Sequence, residues 1–391
     1  MQEDRNKKTP EDYMRQVLQL AKQGEGKVSP NPMVGCIVVK DGKVITTGYH
    51  ERYGGFHAER NALLNCQENM EGAELYVNLE PCCHYGKTPP CTEIIIEKKI
   101  KKVYIGCLDS NPKVRGKGVK ILQEHGIVVE TGILEKECRI FNEVFFHYIE
   151  KNMPFLAMKY AMTLDGKIAC ESGDSKWVTG EEARAYVQSL RNYYKGIMVG
   201  IGTVLEDNPM LNCRLQGGRN PVRIICDSKL QIPFDSKILQ TASEIKTIIA
   251  WNPQKASSLR STERNLEDIK IKLKEQGAIL LEVPLKEKDG MQQLNLNYLL
   301  QELVKQGIDS ILLEGGGTLN ASILKEHLVQ RVYAFIAPKL VAGAKAKSPI
   351  EGSGILKMKH AIELQNVETM MFGKDLCITG RIGGSVCLPE L

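Results

Sequence analysis

Short apolar runs alternate with amphipathic helical stretches along nearly the whole chain, a pattern that admits little besides layered α/β domains. Thr9-Pro10-Glu11-Asp12 reads as a helix start, with a Thr cap, Pro in the first turn and acids at the positive end of the dipole. Met14, Val17, Leu18 and Ala21 follow on one face, and Gly24 closes the helix. A hairpin is expected from Val34–Val39 and Val44–Thr47 around Asp41-Gly42. Helical spacing at 58–68, 92–99 and 119–125 then alternates with strand-like runs at 75–79, 103–107 and 127–130, before one long helix from Leu134 to Glu150.

Asn152-Met153-Pro154 breaks this register. We expect two domains, 1–152 and 153–391, since 391 residues at about 150 per domain leave room for little more. In the second, helices are expected at 181–192, 262–276 and 297–306, and strands at 196–201, 222–226, 247–251 and 278–283. A strand at 310–314 runs into Gly315-Gly316-Gly317 and a helix, and 331–340 pairs with 370–382. Segment 252–298, rich in Lys, Glu and Gln, reads as solvated surface with loop insertions.

Composition excludes several classes. A net charge of +5 on 52 basic and 47 acidic residues is too small for a nucleic-acid coat protein, though not for a binder of phosphate-bearing small molecules. No run approaches the roughly 18 apolar residues of a membrane span. The N-terminal Met1-Gln2-Glu3-Asp4-Arg5-Asn6-Lys7-Lys8 lacks the apolar core of a signal peptide, so the expected compartment is the cytoplasm. Twelve cysteines scattered over such a length do not make a disulfide scaffold, and nine are expected as small buried residues. The exceptions are Cys82, Cys83 and Cys91.

His57-Ala58-Glu59 and Pro81-Cys82-Cys83-His84-Tyr85-Gly86-Lys87-Thr88-Pro89-Pro90-Cys91 carry the clearest chemistry. His57, Cys82 and Cys91 make a three-ligand zinc site with the fourth tetrahedral position open. His57 and Glu59 sit two apart and share no helix face, so they converge only at a helix end, as suits a ligand beside a carboxylate that is not one. A closed structural site with Cys83 or His84 as fourth ligand would not need that carboxylate. The pattern is that of zinc-dependent nucleobase deaminases, except that eight residues, not two, separate the cysteines.

In that longer spacing the chain resembles the bifunctional riboflavin-biosynthesis deaminase–reductases. Ser29-Pro30-Asn31-Pro32-Met33-Val34-Gly35, Met162-Thr163-Leu164-Asp165-Gly166-Lys167 and Leu313-Glu314-Gly315-Gly316-Gly317-Thr318-Leu319-Asn320 extend the resemblance to both halves. It implies an N-terminal cytidine-deaminase-like α/β/α layered domain and a C-terminal dihydrofolate-reductase-like α/β domain. It implies His57, Cys82 and Cys91 as zinc ligands, Glu59 as proton carrier, and deaminase substrate contacts from Asn31, His50, Lys87, Asp109 and Asn111. Read alone, Asn31 is an ordinary loop former, His50 an ordinary strand-end residue and Asp109-Ser110-Asn111-Pro112 a turn; Lys87 is better placed to meet a phosphate or carbonyl.

For the second half the resemblance implies NADPH, held by Ala161, Trp177, Thr203, Asp207, Ser228 and the loop Gly316, Gly317, Thr318, Leu319, Asn320, Ala321, Ser322. Substrate contacts would come from Ser175, Arg191, Leu211, Arg214 and Glu314; Lys159, read from its strand-like run, is a further candidate facing the same site. Residue by residue, Gly315-Gly316-Gly317 before a helix suits phosphate on backbone N–H groups, and Gly200-Ile201-Gly202 is a second Gly turn after a strand. Arg191 and Arg214 are fixed cations suited to phosphate, or else surface ion-pair partners.

The implied function is two consecutive steps. The first is hydrolytic deamination of 2,5-diamino-6-(5-phosphoribosylamino)pyrimidin-4(3H)-one. The second is NADPH-dependent reduction of the ribosyl group, through an opened imine, to 5-amino-6-(5-phosphoribitylamino)uracil, with Asp207 or Lys159 handling protons. The expected partners are small phosphoribosyl pyrimidines, with no nucleic acid and no membrane, and a homo-oligomer is expected. One rival is a zinc nucleic-acid deaminase of the tRNA adenosine type fused to a nucleotide-binding domain. It calls for a basic, aromatic-rich face, against only 6 % aromatics here. The other is a non-catalytic nucleotide sensor with structural zinc.

Overall fold

The structure, a computed structural model, describes residues 8–257, 265–288, 291–352 and 354–383. The chain divides between Asn152 and Met153 into two units.

In the first unit α1 (Pro10–Ala21) starts with a reciprocal cap: Thr9 Oγ1 accepts from Asp12 N while Thr9 N donates to Asp12 Oδ2. A short 3-10 turn, Lys22–Gly24, follows. β1 (Gly35–Lys40) and β2 (Lys43–Tyr49) form the hairpin, with Asp41 and Gly42 both at positive φ. Then come α2 (Ala58–Asn65), β3 (Glu74–Leu79), α3 (Cys91–Glu97), β4 (Lys102–Cys107), α4 (Lys117–Glu124) and β5 (Val128–Thr131). The sheet order is β2-β1-β3-β4-β5, antiparallel across β2, β1 and β3 and parallel from β3 to β5. One face packs Val38, Val77 and Ile105 against Ala62, Ile95 and Leu122; the other packs Ile37, Tyr76 and Tyr104 with Met14 and Phe146.

The expected long helix 134–150 is two helices, α5 (Glu135–Phe141) and α6 (Glu143–Lys151), broken at Asn142. The break has a physical use. Buried Asn142 accepts from Met33 N and donates to Met33 O, and Asn78 Nδ2 also donates to Met33 O. Two asparagine amides thereby satisfy the backbone of the loop that carries Asn31.

The second unit is built on a nine-stranded sheet. Its strands are β6 (Phe155–Thr163), β7 (Gly196–Gly200), β8 (Val222–Cys226), β9 (Thr247–Trp251), β10 (Ala278–Glu282), β13 (Ser310–Leu313), β14 (Arg331–Ala337), β15 (Leu364–Phe372) and β16 (Asp375–Ile382). The order is β10-β9-β8-β7-β13-β6-β14-β16-β15, parallel up to β14 and antiparallel beyond. Helices α7 (Glu181–Tyr193), α8 (Ile201–Asp207), α9 (Lys237–Gln240), α10 (Pro253–Ser257), α11 (Leu266–Glu275), α12 (Leu296–Lys305) and α13 (Gly317–Lys325) complete it.

Several expectations change here. Within segment 252–298, α11 and β10 stand where a helix and a strand are expected, and α10 and a small hairpin, β11 (Leu285–Lys288) with β12 (Met291–Leu294), are further elements that the sequence does not signal. The start of the expected helix 262–276 lies outside the described residues. The expected strand 370–382 is the end of β15, a turn at Gly373, and β16. Gly200-Ile201-Gly202 is no turn: β7 passes directly into α8, with Gly200 as its extended N-cap. Of the nine cysteines expected as buried, Cys36, Cys107, Cys138 and Cys377 are; Cys66, Cys170, Cys213 and Cys226 are only partly covered, and Cys387 lies outside the described residues.

Candidate active sites

In a sheet with parallel strands, loops at the carboxyl ends collect chemistry, and both units follow that rule. In the first, β3 runs into Glu80-Pro81-Cys82, β4 into Asp109, β2 into His50, and the antiparallel β1 begins just after Asn31. Helix α2 lies on the sheet, with Thr46 Oγ1 donating to Ala62 O and Asn61 Nδ2 to Tyr49 O, so its N-terminus points into the same end.

His57 is the extended N-cap of α2, Glu59 lies in that helix's first turn, and Cys91 is the first residue of α3. Nδ1 of His57 lies 3.3 Å from Cys82 Sγ and 3.5 Å from Cys91 Sγ, and Cys91 N donates to Cys82 Sγ at 3.3 Å. These three donor atoms, all within 4.8 Å of one another, are the only such cluster among the described residues. One imidazole nitrogen and two thiolates with no fourth protein donor are the donor set of an open zinc site. The Cys91 thiol, with His57, holds Cys82 well down towards the thiolate, and the two helix N-termini favour that charge. Burial, with Cys82 next, pushes Glu59 up to about 7, where a carboxyl can both take and give a proton.

Beside this cluster Asn31 and His50 form a hydrogen-bonded pair. His50 Nδ1 lies 2.9 Å from Phe56 O, an acceptor only, so Nδ1 carries the hydrogen. Its Nε2 accepts from Asn31 Nδ2 at 3.1 Å, which turns Asn31 Oδ1 away from the ring. Burial keeps His50 neutral by lowering its pKa. Asp109 is buried and accepts from Asn111 N at 2.7 Å. Burial, then Glu80 and Cys82, raise it to about 6 against the backbone hydrogen bond. Asn111 Oδ1 itself caps Lys113 N. Lys87 is exposed, with Nζ 3.9 Å over the Tyr53 ring.

In the second unit the register sets Leu313 beside Met158, so Glu314, the first residue past β13, comes beside Lys159, which continues in β6 opposite Tyr333 of β14. Lys159 Nζ lies 3.3 Å from Glu314 Oε2, and Arg191 of α7 closes a bidentate pair on the same carboxylate. Burial opposes the charge, but Arg191 and Lys159 outweigh it and hold Glu314 down at about 2. Arg191, expected as a phosphate cation, is thus committed to Glu314, whereas Arg214 is exposed on the wall.

A cavity of about 840 Å³ opens at this point. Lys159 and Ala161 line it from β6, and Ser175 and Trp177 from the loop after it. Arg191, Thr203 and Asp207 line it from α7 and α8, and Leu211, Arg214 and Ser228 from the loops beyond. Glu314, Gly316, Gly317, Thr318, Leu319 and Ser322 close it. Asn320 and Ala321 are not in the lining: buried Asn320 instead donates to Gly315 O and Pro349 O, pinning the glycine loop from behind. Sequence reading missed Lys347 and Glu351, which reach the cavity from the irregular segment 338–352. Backbone and side-chain bonds from Lys167, Ile168 and Asp165 hold that segment, and no periodicity marks it.

The family comparisons fit both units. Residues 154–378 match the RibD C-terminal domain, and residues 7–107 match the cytidine and deoxycytidylate deaminase zinc-binding region. The riboflavin biosynthesis protein RibD of Actinobacillus pleuropneumoniae is 48 % identical over 94 % of each chain. The chain belongs to the RibD family. RibD of Escherichia coli is 34 % identical, with 94 % of this chain and 98 % of that one covered. Acinetobacter baumannii RibD (form 1) superposes with a TM-score of 0.82 at 34 % identity, covering 95 % of this chain and 98 % of that one. A Thermotoga maritima structure titled as a diaminohydroxyphosphoribosylaminopyrimidine deaminase/5-amino-6-(5-phosphoribosylamino)uracil reductase does so at 0.79 and 37 % identity, with the same coverage. RibD is a bifunctional deaminase and reductase of riboflavin biosynthesis, with a cytidine-deaminase-like N-terminal domain and a dihydrofolate-reductase-like C-terminal one. A nucleic-acid deaminase is not favoured, because the C-terminal half is a RibD reductase domain. No helix among the described residues is long and apolar enough to cross a membrane.

Proposed function

We propose that residues 1–152 deaminate 2,5-diamino-6-(5-phosphoribosylamino)pyrimidin-4(3H)-one and that residues 153–391 reduce the ribosyl group of the product with NADPH. The convergence of His57, Cys82 and Cys91 beside buried Glu59 carries the first assignment. Zinc, when bound by those three residues, acts as a Lewis acid and lowers the pKa of water towards 7. Glu59 takes the proton of the attacking water and delivers it to the departing amine, a task suited to a carboxyl poised near 7. Asn31, its amide oriented by His50, holds the pyrimidine, and Asp109, Asn111 and Lys87 meet the ribose phosphate side.

In the second unit, NADPH supplies the hydride. The backbone N–H groups of Gly316–Thr318 at the start of α13 would hold its diphosphate, and Thr203, Asp207 and Ser228, which line the same cavity, would hold the remainder. Lys159 holds a proton at Nζ beside Glu314, better covered for that work than the exposed Asp207. Arg214 remains to meet the substrate phosphate, and Arg191 acts by holding Glu314. The protein works in the cytoplasm as a homo-oligomer; β15 at the sheet edge, with Val367 and Met371 exposed, is a surface that a second copy would cover.

The test supplies the diamino substrate and follows ammonia release and cofactor oxidation together, with NADPH and NADH compared. Ammonia first, then NADPH oxidation after a lag, supports the reading. NADPH oxidation without ammonia, or equal use of NADH, counts against it.

A further inference from the structure

Glu80 is buried at the end of β3, directly before Pro81-Cys82, and its carboxylate forms no ion pair among the described residues. It accepts instead from four backbone N–H groups of segment 109–119, the last two in the first turn of α4. Oε2 takes Asp109 N at 3.3 Å and Gly116 N at 3.0 Å, and Oε1 takes Gly118 N at 3.0 Å and Val119 N at 3.3 Å. Helix α4 needs this acceptor, because its N-cap is Gly116, which has no side chain to offer. The loop also packs straight onto the metal segment: a Cβ on Gly118 would lie 2.3 Å from Pro81 O.

We propose that Glu80 is a positioning residue of the deaminase, whose carboxylate locks the 109–119 loop to the segment bearing Cys82 and so fixes where Asp109 stands relative to the metal. The lock works at both ends. Glu80 N donates to Cys107 O, tying the same residue to the end of β4 two positions before Asp109. On the other side Cys82 O accepts from Thr92 N, so the fixed segment continues into the helix that carries Cys91. A glutamine cannot replace the carboxylate, since its NH2 would face two N–H donors. The inference rests on reading Asp109 as a substrate contact.

The test uses the full chain loaded with zinc. Glu80→Gln, Asp109→Asn and the double variant are compared for zinc content, for deaminase kcat and KM, and for reductase turnover on separately supplied deaminated intermediate. Expected are full zinc, unchanged reductase turnover, a KM raised about tenfold with kcat changed much less, and a double variant no worse than Asp109→Asn alone. Gly118→Ala, which pushes the loop off Pro81 and leaves Glu80 intact, should raise KM in the same way. If Glu80→Gln loses zinc or stability while its zinc-loaded fraction keeps the normal KM, or if the two substitutions are additive, the inference is overturned. If Asp109→Asn alone leaves KM unchanged, the reading of Asp109 fails and the inference falls with it.

Discussion

Glu314 accepts two hydrogen bonds from the single guanidinium of Arg191, Nε to Oε1 at 2.7 Å and Nη2 to Oε2 at 3.1 Å. Arg191 Nη1 is also engaged, donating to Asn212 O at 3.1 Å. This fork sits at the mouth of the sheet, where Lys159 joins the same carboxylate.

Glu314→Gln would leave two covered cations without their counter-charge, so the second unit should lose about 3–5 kcal/mol, seen in denaturant unfolding. The sign with pH follows from the depressed pKa. The stabilisation from Glu314 is present above its ordinary value near 4.5 and is lost as pH falls towards about 2. Arg191→Lys, which cannot form the fork, should lower NADPH oxidation by roughly tenfold or more without changing ammonia release.

Asp109 offers the opposite sign. Its folded pKa is raised from 3.8 to about 6, so the folded state binds the proton more tightly and this residue costs stability as pH rises through that window. Asp109→Asn can still accept from Asn111 N, and should therefore raise the melting temperature at neutral pH, by an amount that vanishes near pH 4. The same variant should raise the deaminase KM about tenfold with kcat changed much less. Calorimetry at the two pH values checks the first half.

Gly317 has no room for a side chain: a Cβ there would lie 2.5 Å from Glu351 Cγ and 2.6 Å from Ser348 O. Gly317→Ala must push segment 348–351 or the glycine loop, and both line the cavity. NADPH affinity, read by quenching of intrinsic fluorescence, should fall about tenfold or more, while ammonia release stays normal.

Removing zinc with a chelator should abolish ammonia release and leave NADPH oxidation of supplied deaminated intermediate intact. Cys91→Ser should do the same and lose the metal, because two of the three donors cannot hold it tightly.

Much of this was legible where one residue's chemistry constrains its neighbours. His57 and Glu59, two apart, fit only a helix end, and that is where α2 begins. Thr9 and Asp12 announced their helix by spacing alone. What stayed hidden are side chains that bond to distant backbone. Asn142 reaches Met33 across 109 residues, and Glu80 reaches Val119 across 39. Neither leaves a periodic mark, and Asn142 even sits inside a run that reads as continuous helix. Arg191 was legible as a cation but not as the partner of Glu314, 123 residues away.

The most direct measurement is made on Glu59→Gln in the full chain loaded with zinc, given first the diamino substrate and then the deaminated intermediate. No ammonia and no NADPH oxidation are expected from the first, and NADPH oxidation at the normal rate from the second. Ammonia released at the normal rate by Glu59→Gln would contradict the role of Glu59 as the proton carrier.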